Sequence, residues 1–125
     1  MTSTLSAIAI DCRDPETLAR FWCAALGYVV HGEAEGFVGI VPAEGSGPHL
    51  DFVVVPEPRT AKNRLHLDLR AVDTDRDSEV ARLESLGARR VDVGQGPEVT
   101  WVVLADPEGN ELCVLRSLAP GHFAL

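Results

Sequence analysis

A chain of 125 residues with 46% hydrophobic side chains is sized for one ordinary core, so a single domain over residues 1–125 is expected. Nineteen acidic against eleven basic side chains leave a net charge of -8, a field that repels nucleic acid and anionic membrane surfaces and argues against both as partners. Met1 to Ser6 shows no basic region followed by an apolar stretch, and no apolar run approaches the roughly 20 residues of a membrane helix, so a cytoplasmic protein is expected.

The first strand is expected over Leu5–Cys12. Asp14, Pro15 and Glu16 then supply an N-cap, a proline at the first helical position and an early acidic residue. In the helix that follows, Leu18, Phe21, Trp22, Ala25 and Leu26 fall on one face, and Gly27 suits a left-handed C-terminal position. Three β-like runs come next, Tyr28–His31, Phe37–Val41 and Leu50–Val55, with HGEAEG and PAEGSGP as the turns between them. Pro56, Glu57 and Pro58 cannot continue a paired central strand and close this half.

Residues 57–64 read as a linker. Its Arg59, Lys62 and Arg64 form the densest basic cluster, too small to track a phosphate backbone but suited to one anionic ligand or an acidic edge. Leu65–Ala71 then reads as a strand. Thr74 to Asp77 can form a capping box opening a helix through Val80, Leu83 and Leu86 to Gly87. Three more β runs follow, Arg89–Val93, Val99–Ala105 and Glu111–Arg116, separated by Gly94-Gln95-Gly96-Pro97 and by Asp106-Pro107-Glu108-Gly109-Asn110. Ala7–Asp14 overlays His66–Asp73 at one offset, and Leu26-Gly27 matches Leu86-Gly87 at nearly the same one. The chain therefore repeats itself, with one module at about 5–56 and a second at about 65–117. The expected class is α+β, with two βαβββ modules forming a cupped, mostly antiparallel eight-stranded sheet. A ferredoxin-like βαββαβ sandwich is the rival, and it needs fewer strands than these.

Cys12, Cys23 and Cys113 are odd in number, lie in apolar surroundings and form no CxxC pair, so they are expected as reduced, packed thiols. No GxSxG, GxxxxGK[ST] or GxGxxG is present. Asp14, Asp77, Asp106 and Glu108 read as caps and turn formers, and His31 and His122 as solvated residues of a turn and of the C-terminal tail.

Several local signatures fall in the order of a known family. IAIDCRDPETLARFWCAALGY (8–28), KNRLHLDL (62–69) and LADPEGNELCVL (104–115) resemble the first strand and helix, the start of the second half and the last hairpin of the vicinal oxygen chelate superfamily of glyoxalase and bleomycin-resistance proteins. DPEGNE is the most specific of these elements. The resemblance implies a cup whose strands often hold one divalent metal through His, Gln or Glu, where it chelates two neighbouring oxygens of a substrate. It also implies a homodimer, to which exposed strand edges and the tail 118–125, apolar at Phe123 and Leu125, are plausible contributors.

The expected ligand set is incomplete here. Ala7 stands where many relatives carry His, its repeat equivalent His66 is in place, Cys113 stands where many carry Glu after the DPxG turn, and the repeat offset sets Val54 against Cys113. One matching ligand of four makes no site, so no metal cofactor is expected. The leading expectation is a pocket for an unidentified small molecule, which the protein binds or sequesters, or transforms with side chains alone. His66 would act as acid or base with Asp68 as its partner, and His49, Asp51, Trp101 and Cys113 would line the pocket. Because side chains two apart on a strand share a face, the pairs His66/Asp68 and His49/Asp51 offer an alternative, a displaced divalent metal site serving a glyoxalase-like lyase or dioxygenase. A third alternative is a non-catalytic interaction or regulatory protein.

Overall fold

The structure is a computed structural model that describes residues 1–96 and 98–117. Expectations for Pro97 and for the tail 118–125, including His122, Phe123 and Leu125, lie outside the described residues. The chain divides into two compact units between Ala61 and Lys62, each a βαβββ module.

In the first module β1 (Ala7–Cys12) leads into α1 (Pro15–Leu26), followed by β2 (Tyr28–Ala34), β3 (Phe37–Pro42) and β4 (His49–Val54). The helix begins where expected. Asp14 accepts from the Thr17 amide at 3.2 Å and from the Thr17 hydroxyl at 2.6 Å, and these bonds hold its carboxyl below the usual range. Gly27 ends the helix at φ 71, in the left-handed region, and its amide donates to the Cys23 carbonyl. The sheet order is β1-β4-β3-β2, parallel for β1·β4 and antiparallel for the other two pairs. Ile40, Leu50 and Phe52 are buried with Leu18, Phe21 and Trp22 of α1. Phe21 and Trp22 meet edge to face at 5.2 Å.

The second module repeats the plan with β5 (Leu67–Leu69), α2 (Arg76–Leu86), β6 (Arg89–Arg90), β7 (Val102–Ala105) and β8 (Glu111–Val114) in sheet order β5-β8-β7-β6. β5·β8 is parallel and the other pairs are antiparallel. Val80 and Leu83 of α2 are fully buried, as are Leu104, Leu112 and Val114 of the sheet. Glu79, buried on the same helix, is held by both arms of Arg82 at 2.8 Å. The hairpin between β7 and β8 is built on Asp106. Its buried carboxylate accepts from the amides of Glu108 and Asn110 and from the Asn110 side chain, at 2.9–3.0 Å.

The α+β class and the two βαβββ modules are as expected, and the eight strands are apportioned to two sheets of four. Four local expectations are corrected. The second helix is capped by Asp75 rather than by Thr74: Asp75 is extended (φ -87, ψ 168), and its carboxylate takes the Ser78 amide at 2.7 Å, a stronger acceptor than a hydroxyl at the positive end of a helix. His31 is not in a turn, because β2 runs on to Ala34 with an irregularity between Val30 and Gly32. The second module's β5, β6 and β7 are shorter than the runs Leu65–Ala71, Arg89–Val93 and Val99–Ala105, since ladder pairing covers only Leu67–Leu69, Arg89–Arg90 and Val102–Ala105. Cys23 is half-buried, while Cys12 and Cys113 are buried as expected.

Candidate functional site

Period-two alternation assigns the faces of the second sheet. Leu67 pairs with Leu112 and Leu69 with Val114, so these apolar side chains share one face, and Asp68 and Cys113 lie on the other. Val103 pairs with Cys113 across β7·β8 and joins that second face, with Glu111 and Leu115 two residues to either side of Cys113 along the chain. The second face borders a cavity of about 330 Å³, lined by His66, Asp68, Trp101, Val103, Glu111, Cys113 and Leu115 together with Lys62, Val93 and Gln95. The volume sits at the small end of the range for small-molecule sites. Asn63 donates its amide to Glu111 Oε2 at 2.9 Å and so ties the segment bearing Lys62 to β8.

Three heteroatoms converge on the wall. His66 Nδ1 is 3.0 Å from Asp68 Oδ1 and 3.8 Å from Cys113 Sγ. The His66 and Asp68 side chains keep 40% and 47% of their exposure, whereas Cys113 keeps 7%. With Nδ1–H donating to an ionised Asp68, the imidazole retains Nε2 as an acceptor, which is the form a general base needs. Burial pushes the Cys113 thiol up to about 11, and the charge of Asp68 and its hydrogen bond to the thiol add to this, against the opposing pull of Lys62. A thiol held protonated at neutral pH is a weak nucleophile, so Cys113 serves the wall as a small polarisable group.

The donor set passes a first test for a cation. One ligand atom each from His66, Asp68 and Cys113 lies within 4.8 Å of the others. An N, O, S trio suits a borderline ion such as zinc, with the remaining position open, better than a hard ion such as magnesium or calcium. A bound cation would have to displace the Cys113 proton. Where the sequence offers one ligand of an expected four, the folded chain brings three donors together.

Of the other expected pocket residues, Trp101 lines the cavity and is 39% exposed. His49 and Asp51 belong to the first module's sheet, where they pair in register with Ala7 and Ala9 of β1. The strand pairing also revises the repeat. Ala9 pairs with Asp51 as Asp68 pairs with Cys113, so Asp51 is the counterpart of Cys113, and Val54, paired with Cys12, is not. Lys62, which the sequence offered only as part of a basic linker cluster suited to an anionic ligand, joins the cavity lining, and sequence reading missed Glu111, whose place two residues before Cys113 on one strand was a usable signal. A larger cleft of about 730 Å³ lies in the first module between α1 and β2, and its lining includes Arg20, Cys23, Tyr28, Val29 and Val30.

Two copies of a strand, helix and three-strand module make up the βαβββ architecture of the vicinal oxygen chelate superfamily, and here a polar cluster stands on the cavity-lining face of the second sheet. Residues 7–115 match the family model of the glyoxalase-like domain, and the chain belongs to that family. Similar solved structures include a glyoxalase/bleomycin resistance protein/dioxygenase family enzyme from Burkholderia phytofirmans, 20% identical over 94% of this chain and 100% of that one, with TM-score 0.72. A point mutant of the fosfomycin resistance protein FosX from Listeria monocytogenes, complexed with Mn(II) and 1S,2S-dihydroxypropylphosphonic acid, is 14% identical over 94% and 93%, with TM-score 0.72. A glyoxalase-related enzyme from Fulvimarina pelagi is 15% identical over 94% and 89%, with TM-score 0.65. These likenesses concern the fold. No curated protein matches the chain.

Proposed function

We propose that the chain is a small-molecule-binding glyoxalase-like protein whose second module takes a compact ligand with an apolar body and one polar or anionic group. The observation that carries this is the His66–Asp68 pair, 3.0 Å apart, on the wall of a cavity whose apolar lining is Val93, Trp101, Val103 and Leu115. The apolar body lies against Trp101 and its neighbours, the polar group meets His66, and Lys62 supplies a cation for an acidic ligand. Turnover, if the ligand is a substrate, runs through proton transfer at His66 Nε2, with Asp68 fixing the ring and stabilising the imidazolium.

The test is a screen of small carboxylates, phosphonates and 1,2-diols by protein-observed NMR, followed by His66→Ala and Trp101→Ala. Hits that perturb Val103 and Leu115 and lose affinity in both variants support the reading. Hits that map elsewhere, or that bind both variants undiminished, sink it.

One observation favours a second reading, the three donors within 4.8 Å. In it His66, Asp68 and Cys113 hold a borderline divalent cation that polarises a substrate oxygen, and the Mn(II) in the FosX structure is a parallel. Elemental analysis of protein purified without a metal-affinity tag, before and after His66→Ala, decides between the readings. A near-stoichiometric metal lost with His66 establishes the second. We further propose that the two modules work as one domain in the cytoplasm, and that the chain pairs as a homodimer, as the family resemblance implies. Sedimentation showing only monomer at micromolar concentration overturns the pairing. No helix among the described residues is long and apolar enough to cross a membrane.

A further inference from the structure

The first module carries a pair of imidazoles that the second-module pocket does not use. His31 is on β2 and His49 on β4, with β3 between them in the sheet order. Adjacent strands are about 4.8 Å apart, so the backbones of β2 and β4 are separated by roughly 10 Å. The two ring centroids are nevertheless only 5.9 Å apart, so the side chains lean toward one another across β3.

Two features of the sheet produce this approach. The β2·β3 register shifts between Val30 and Gly32, which leaves His31 as the extra residue of a bulge, and a bulge re-aims its side chain. Gly39 of β3 pairs with Gly32 on one side and with Asp51 on the other, so the middle strand raises no side chain at that point. Asp51 itself is held over Gly39, since a Cβ there would lie 3.0 Å from its Oδ1, which adds a negative charge to this part of the sheet. Both histidines are exposed, and neither side chain makes a hydrogen bond or ion pair among the described residues, so their ring nitrogens remain available as metal ligands.

We propose that His31 and His49 form a chelating site for a borderline divalent cation, zinc or copper(II), on the first module's sheet. Two imidazoles sharing one zinc at about 2.1 Å from each nitrogen have their ring centroids roughly 5–6 Å apart, so 5.9 Å needs only a small rotation of the rings. Neutral imidazole is a preferred ligand for both ions, and copper(II) should bind more tightly than zinc. Two protein ligands leave coordination positions for water or a small oxygen donor. The site shares no residue with the second-module pocket and does not depend on the reading of that pocket.

The experiment is isothermal titration of untagged protein with zinc chloride, using the wild-type chain, His31→Gln, His49→Gln and the double variant His66→Gln/Cys113→Ser, each checked for folding by circular dichroism. Removing one arm of a chelate forfeits its effective concentration, so His31→Gln and His49→Gln should each weaken one zinc equivalent by about 100-fold. His66→Gln/Cys113→Ser should retain that equivalent. If zinc binding in wild type is unchanged by His31→Gln and by His49→Gln, the proposal fails. It fails equally if His66→Gln/Cys113→Ser folds and binds no zinc. Should the double variant not fold, copper(II) electron paramagnetic resonance on wild type and the two single variants decides. Two coupled nitrogens in wild type and one in each variant support the site, whereas an unchanged spectrum overturns it.

Discussion

Asp68 and Cys113 are register partners in the parallel β5·β8 pair, so the Asp68 carboxylate and the Cys113 thiol share one face of the second sheet and meet His66 there. Burial and that carboxylate keep the thiol protonated up to about pH 11. The unfolded thiol ionises in the ordinary range, below this value. At neutral pH both states hold the proton and Cys113 contributes no pH dependence. As pH rises from the ordinary thiol range to about 11, the unfolded chain releases a proton that the folded chain keeps, so stability falls across that window. Urea midpoints measured from neutral pH upward should show the decline. Alkylation of Cys113, followed by peptide mass spectrometry, should lag until the same high pH, and Asp68→Asn should bring its onset lower.

Asp106 is a carboxylate with no exposed surface, spent on the amides of Glu108 and Asn110 and on the Asn110 side chain. Asp106→Ala orphans two backbone donors in the β7·β8 hairpin and should destabilise the protein by about 3 kcal/mol, with Asp106→Asn costing less because an amide oxygen still accepts. Urea denaturation of the two variants checks the order.

Phe52 has no exposed surface and sits between Ile10 of β1 and Val38 of β3. Phe52→Ala should cost about 3–5 kcal/mol through lost burial and the cavity left behind. Val29→Ser, on the exposed edge strand β2, should stay within about 0.5 kcal/mol of wild type. Thermal melts of both variants make the comparison.

A methyl group at Gly39 would lie 3.0 Å from Asp51 Oδ1 and 3.3 Å from the tip of the Phe37 ring. Both neighbours are side chains and can give way, so Gly39→Ala should fold with a loss of roughly 1–2 kcal/mol. Displacement of Asp51 should appear as a shift of the His49 ring signals in NMR.

What the sequence by itself determined is what neighbours along the chain decide. Asp14, Pro15 and Gly27 define α1 because caps act within one helical turn. The alternation in Leu67, Asp68 and Leu69 assigns Asp68 to the pocket side because strand geometry has period two. The repeat of these local patterns was enough to read two βαβββ modules. What only the tertiary structure decided is what depends on partners far away in sequence. Thr74 and Asp75 are both competent caps, and the backbone conformation at Asp75 settles the choice. Pairing of β1 with β4 and of β5 with β8 makes Asp51, not Val54, the counterpart of Cys113, because the hairpins between differ in length and one offset cannot follow both ends of a module. Lys62 and Glu111 join one cavity, and His31 turns toward His49, through chain segments brought together by sheet pairing and through a bulge, neither of which leaves a local pattern in the chain.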